Sequence, residues 1–276
     1  MPAPERPRLP RRTALLLPVA LAAAACTTGS GPGLPDPGRV PVIRPQVLAE
    51  LPHDTTAFTQ GLELRGGTLY EGTGREGLSQ LRTLDPATGA LRDARPLPGE
   101  LFGEGLTVSG GSIWQLTWKD GVALEWDRAS LTLRRTVPLD GQGWGLCRQE
   151  LPGGAVRMIR SDGSDRLRFH DATDLAETAP PVPVTLNGAP VPELNELECV
   201  GDRVWANVWQ TDRIVRIDPA TGVVDLVVDA AGLLDDDRAA GADVLNGIAH
   251  VAGDEYLLTG KLWPSLFRVR LVAPPG

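Results

Sequence analysis

Apolar and polar positions change places over short runs along the body of the chain, and each run is cut off by a turn. Gln60-Gly61-Leu62 opens one such unit. A short strand leads to the turn Arg65-Gly66-Gly67, and a second strand follows at Thr68-Leu69-Tyr70. A polar loop and a third strand come next, ending in Asp85-Pro86-Ala87-Thr88-Gly89, where Pro presets φ and Gly closes the turn. A fourth strand completes the unit. The opening pattern recurs at Glu104-Gly105-Leu106, Trp144-Gly145-Leu146, Asn195-Glu196-Leu197 and Asn246-Gly247-Ile248. Second strands recur at Ser112-Ile113-Trp114, Val204-Trp205-Ala206 and Tyr256-Leu257-Leu258, and Asp turns at Asp127, Asp171 and Asp218-Pro219-Ala220-Thr221-Gly222.

A spacing of roughly 40 to 52 residues is that of one four-stranded propeller blade. The repeat therefore predicts an all-β, five-bladed β-propeller over residues 41–276, against the alternative of a β-sandwich with coincidental spacing. The fifth unit lacks a fourth strand, because the chain ends soon after Phe267-Arg268-Val269-Arg270-Leu271. The unassigned strand from Pro41 to Leu51 is expected to complete that blade and close the ring, which removes open sheet edges.

Propeller topology gathers residues that are distant in sequence. The loops leading into each innermost strand converge near the axis, and the loops joining second and third strands open on the same face. The first set gives Gln60, Glu104, Trp144, Asn195 and Asn246, and the second gives Gly74, Trp118, Asp162, Trp209 and Lys261. Singly, these have ordinary readings: a Trp in the core, an amide satisfying a turn, Asp162 as a turn former, Lys261 as a solvated charge. Together they predict an apolar-walled pocket with a few polar groups. Glu104 is the one carboxylate of the inner set at the anchor position itself. Indole walls would raise its pKa and Lys261 would oppose the rise, giving a group able to accept and return a proton. The competing role is a structural Glu bonded to channel amides.

Composition narrows the partners. The chain carries 27 Lys and Arg against 35 Asp and Glu, a net charge of -8. Arg6, Arg8, Arg11, Arg12 and Glu5 precede Cys26, so the remainder has 23 basic and 34 acidic residues, or -11. Such a body repels phosphates, which excludes nucleic-acid binding as the main role. The basic stretch ending Arg11-Arg12, followed by the apolar run Ala14 to Ala25, reads as an export signal over residues 1–25. Leu21-Ala22-Ala23-Ala24-Ala25-Cys26 is similar to a bacterial lipoprotein cleavage box, with Cys26 as the lipidated residue; simple signal cleavage is the alternative. Residues 26–40 read as a flexible tether. The chain is thus expected at the periplasm or cell surface, as a monomer. Cys147 and Cys199 could form a disulfide in an oxidising compartment or remain buried thiols. The three His residues, His53, His170 and His250, match no metal-ligand spacing, and no nucleophile elbow, phosphate loop or dinucleotide fingerprint is present. No cofactor or metal is expected.

Several stretches resemble one known family, the plant and bacterial type of glutaminyl-peptide cyclotransferase typified by the papaya latex enzyme. They are Pro52-His53-Asp54 with Ala57-Phe58-Thr59-Gln60-Gly61-Leu62, Leu101-Phe102-Gly103-Glu104-Gly105-Leu106-Thr107, Gln115-Leu116-Thr117-Trp118-Lys119 and Gly143-Trp144-Gly145-Leu146. Leu194-Asn195-Glu196-Leu197-Glu198, Ala206-Asn207-Val208-Trp209, Asp243-Val244-Leu245-Asn246-Gly247-Ile248-Ala249 and Thr259-Gly260-Lys261-Leu262-Trp263-Pro264 continue the likeness. The resemblance implies a five-bladed propeller acting on peptides or proteins with N-terminal glutamine. It implies Glu104 as general acid/base and Gln60, Trp118, Trp144, Asn195, Trp209 and Lys261 as pocket residues. Cys147 stands where Thr is common, Cys199 where an aromatic is common, and Gly72 where Ser is usual. A catalytically silent propeller binding peptides or glycans, and a metal-dependent lactonase-like hydrolase, are the rival readings.

Overall fold

The computed structural model describes residues 33–272, and all its regular elements are strands. Five mainly antiparallel sheets, the blades, follow one another in chain order, with a small hairpin of Thr185–Leu186 and Ala189–Pro190 between blades three and four. The innermost strands are Thr59–Arg65, Gly103–Ser109, Leu146–Glu150, Leu194–Val200 and Leu245–Ala252. Three further strands lie outside each, in sequence order, in blades one to four. In blade five only Glu255–Gly260 and Ser265–Arg270 follow, and Gln46–Pro52 supplies the outer strand by antiparallel pairing, Val47 opposite Val269 and Leu51 opposite Leu266. The expected ring closure is therefore present.

Strand alternation sends every second side chain into the gap between neighbouring blades, so the core consists of five inter-blade layers. Leu81 of blade one meets Leu106 and Ile113 of blade two. Trp114 of blade two meets Leu146 and Met158 of blade three. Ile159 faces Leu197 and Val215, Ile214 faces Ile248 and Leu258, and Leu257 and Leu266 face Leu62 and Leu69. Near the axis the inner strands approach backbone to backbone. A side chain at Gly105 would begin 2.5 Å from the Trp144 carbonyl oxygen, and one at Gly145 only 2.1 Å from that of Asn195. Glycine at the anchor is thus a packing requirement. Glu196 is the exception: its carboxylate crosses the ring to accept from Leu62 N at 3.2 Å in blade one and Ile248 N at 2.9 Å in blade five.

The Asp turns also follow the repeat, with one difference. Asp85 and Asp218 cap turns that end in Gly89 (φ 71°) and Gly222 (φ 72°), but the turns at Asp127 and Asp171 end in Leu131 (φ 54°) and Leu175 (φ 59°). A left-handed leucine costs about 1 kcal/mol. Both side chains are buried in inter-blade layers, which offsets that cost.

Two expectations change, and an alternative left open is decided. The Pro41–Leu51 segment is not one strand: Val42–Ile43 pairs in parallel with the outer strand of blade four, and only Gln46–Pro52 joins blade five. The tether expected over 26–40 is docked at its C-terminal end. Leu34 and Val40 pack against the layer between blades three and four, and Asn187 Nδ2 donates to the carbonyls of Asp36 and Pro37. An apolar residue every few positions gives this stretch enough surface to bury. Finally, Cys147 and Cys199 form a disulfide across 52 residues, joining the inner strands of blades three and four. The signal segment 1–25 and Cys26 lie outside the described residues.

Candidate active site

At the mouth of the ring the anchors and the second-to-third-strand loops enclose a cavity of about 250 Å³. It is lined by Phe58, Gln60, Phe102, Glu104, Trp118, Trp144, Asn195, Trp209 and Lys261. Its construction is layered. The polar groups form the floor: Gln60, Glu104, Asn195 and Lys261 are between 2 and 5 % exposed. The aromatic rings form half-exposed walls. Phe58, Phe102 and Trp118 make one arc, with centroids 6.2 and 5.6 Å apart, and Trp144 stands edge-on to Trp209 at 5.5 Å across from it.

Glycines hold these rings in place. Gly74 leaves room for Phe102, whose ring lies 2.4 Å from where a Cβ would start, and Gly163 does the same for Trp144 at 2.5 Å. The Trp144 N–H donates to Gln142 Oε1 at 3.1 Å, so this indole presents only its ring to the cavity. Lys261 Nζ lies 4.9 Å from the Phe58 ring centroid, within cation–π range.

The Glu104 carboxylate has unequal oxygens. Oε1 accepts from Gln60 Nε2 at 3.0 Å, whereas Oε2 is buried and has no partner. Burial pushes the Glu104 pKa well above the ordinary carboxylate value, and the Lys261 charge pulls it back only in part. The same burial lowers the Lys261 pKa, against the attraction of Glu104 and Asp243. Asn195 Oδ1 is a second buried acceptor without a partner. A floor that carries a raised acid, a desolvated cation and a spare amide oxygen can exchange a proton with a bound ligand and meet charge that develops on it.

All seven residues singled out as catalytic or substrate-binding line this cavity. Asp162, from the loops joining second and third strands, does not: its carboxylate caps Ser164 N at 3.1 Å and pairs with Arg168 at 2.6 Å. The Ser-Asp-Gly-Ser turn and the nearby Arg168 satisfy it locally. Asn246 lies behind Gln60 and outside the lining. Phe58 and Phe102 were not among the candidates. Each stands two positions before an anchor, at Gln60 and Glu104, a recurrence visible in the repeat itself.

Fold and cavity together define a propeller with one small-ligand site on its axis, built from every blade's anchor or loop. The chain belongs to the glutamine cyclotransferase family, whose model matches residues 15–271. It is 36 % identical to a glutaminyl-peptide cyclotransferase of Arabidopsis thaliana over 95 % of this chain and 84 % of the relative. It is also similar to the crystal structure of Myxococcus xanthus glutaminyl cyclase, with a TM-score of 0.75 and 38 % identity, covering 84 % of this chain and 97 % of that one.

Proposed function

We propose that this protein is a glutaminyl-peptide cyclotransferase, converting the N-terminal glutamine of peptides and proteins to pyroglutamate with release of ammonia, and that Glu104 moves the proton. Family membership supports the reaction. The observation that carries the residue assignment is the unpartnered, buried Oε2 of Glu104 at the foot of an aromatic-walled cavity.

The neutral α-amine of the substrate attacks its own Cδ. One proton leaves the amine for Glu104 and is returned to the departing nitrogen, so the new C–N bond of the lactam replaces the amide bond and ammonia departs. Lys261 or the Asn195 amide meets the negative charge that develops on the carboxamide oxygen. The aromatic walls hold the side chain folded back on the amine, which supplies rate by orientation. A cavity at the small end of ligand pockets suits one terminal residue, with the rest of the peptide outside. Export supports access to such substrates. The Cys147–Cys199 disulfide favours an oxidising compartment, and in this reading the monomeric enzyme is held at the membrane by a lipid on Cys26.

Ammonia release from a Gln-initiated peptide tests the assignment, with wild type, Glu104→Gln and a chelator-treated sample side by side. Loss of turnover in Glu104→Gln alone is the expected result. Undiminished turnover in that variant would remove the mechanism, loss on chelation would indicate a metal role, and inactivity of folded wild type would indicate a binding module. Detergent partitioning of wild type and Cys26→Ser tests the anchor; equal partitioning would remove it.

A further inference from the structure

Behind the cavity floor lies a chain of amides that no lining residue completes. Asn246, fully buried at the start of the innermost strand of blade five, donates from Nδ2 to Thr59 O at 3.0 Å and to Gln60 Oε1 at 3.2 Å. Gln60 in turn donates from Nε2 to Glu104 Oε1 at 3.0 Å. A carboxamide is polar end to end, with two N–H donors on one atom and an acceptor on the other. Turning either amide over would set acceptor against acceptor.

The direction of the chain has a fixed origin. A backbone carbonyl accepts and never donates, so Thr59 O requires the NH2 end of Asn246. The second N–H of that group then requires the oxygen of Gln60, and this leaves the NH2 end of Gln60 for Glu104. Glu104 Oε1 must therefore be an acceptor in both protonation states of the carboxyl. The proton has one place left, on Oε2, which is the oxygen without a partner.

We infer that Asn246 is a positioning residue for catalysis: through Gln60 it selects Oε2 of Glu104 as the oxygen that takes the proton from the substrate amine and returns it to the leaving nitrogen. This rests on Glu104 being the proton-transfer residue, and it adds a device that fixes the acid's geometry before substrate arrives. The selected oxygen cannot be blocked by a proton resting on the wrong side, and the carboxyl is held against rotation at no cost during the reaction. The backbone carbonyl of one residue thus reaches the reacting atom across two side chains from two different blades.

Asn246→Asp inverts the relay. A carboxyl at 246 has only one proton, which Thr59 O takes, so the same oxygen can only accept from Gln60; it draws the NH2 end of Gln60 toward itself and turns Gln60 Oε1 to Glu104, which then holds its proton on Oε1. On a Gln-initiated peptide kcat is expected to fall about a hundredfold, within the range of general acid–base effects, with KM changed by less than about threefold because no wall contact is lost. The acid limb of the kcat profile moves to higher pH, since ionised Glu104 has lost its donor. Asn246→Ala removes the constraint without inverting it, so kcat is expected to fall about tenfold with a smaller displacement of the limb. Melting curves and near-ultraviolet circular dichroism identify a variant that has failed to fold; should Asn246→Asp do so, Asn246→Ala decides alone. A folded variant whose kcat stays within about twofold of wild type, or whose pH profile superimposes on it, overturns the inference. Glu104→Gln separates the two levels. If it is fully active the Glu104 assignment fails first, whereas if it is inactive beside unaffected Asn246 variants only the relay fails.

Discussion

Glu71 and Glu104 are both buried carboxylates in adjacent blades, and they are held in opposite ways. Glu71 Oε1 accepts from Thr59 Oγ1 at 2.7 Å and faces His53 Nε2 at 3.0 Å, while Oε2 lies 3.4 Å from Arg82 Nη1. Arg82 continues to Asp54 at 2.7 Å. His53 Nδ1 faces the Trp263 carbonyl at 3.0 Å, so both ring nitrogens meet acceptors, an arrangement that favours the imidazolium. Burial alone would raise Glu71, but His53 and Arg82 outweigh it and hold it below the ordinary value. Glu104 has one amide donor and a lysine that acts on it without forming an ion pair, and burial prevails. Depth is the same; pairing differs. The paired acid belongs to the seam where blade five hands the chain to blade one, and His53 N also bonds Pro264 O there. The unpaired acid stands at the foot of the cavity, where the proposed mechanism uses it.

That contrast can be broken by exchanging the consequences. Glu104→Gln is expected to lower kcat by about a thousandfold while leaving the melting temperature unchanged or higher, because an uncompensated buried acid has been neutralised. A loss of stability matching that of a Glu71 variant would show the two acids to be alike. Glu71→Ala leaves His53 and Arg82 facing each other and is expected to cost about 3 kcal/mol or more in urea unfolding; a cost below about 1 kcal/mol would mean that the pairing is not what holds the seam. The disulfide offers a calibration within the same ring. Replacing Cys147 and Cys199 by Ala opens a closure across 52 residues, with an expected loss of about 2–4 kcal/mol and little change in kcat. A collapse of kcat there would tie the seam of blades three and four to Trp144 and Asn195.

Smaller effects sharpen the electrostatics. Lys261→Met removes the charge that holds Glu104 down, so the acid limb of kcat/KM moves to higher pH; a downward move would put the cation's influence elsewhere. His53 is lowered by burial, but Glu71 and the Trp263 carbonyl together raise it more, for a net rise. A raised folded-state pKa means that its contribution is complete below the unfolded value of about 6.5 and fades as pH climbs through the folded value. Urea midpoints of wild type minus His53→Gln should therefore shrink with rising pH above that point, and a difference that grows with pH contradicts the imidazolium.

Much of this was legible without coordinates because the fold repeats. An anchor that recurs five times marks the axis, and strand order assigns each loop to a face, so Glu104, Trp118, Trp209 and Lys261 could be grouped although they span most of the chain. What escaped was local. Asp162 occupies a ring position in the repeat yet turns away from the cavity, because its own turn and Arg168 already satisfy its carboxylate. Phe58 and Phe102 recur in only two of the five units. The turns at Leu131 and Leu175 look unlike their Gly counterparts until the buried leucines are seen.

The sequence by itself determined five blades, ring closure by a segment before the first anchor and most of the cavity lining, since these depend on periodicity and order along the chain. The tertiary structure alone decided which acid is paired and which is free, that Cys147 meets Cys199, and that Asn246 reaches Glu104 through Gln60. Those depend on distances of a few ångströms between side chains of different blades, where a carboxylate's charge is set by the donors within reach, and no spacing along the chain encodes that reach.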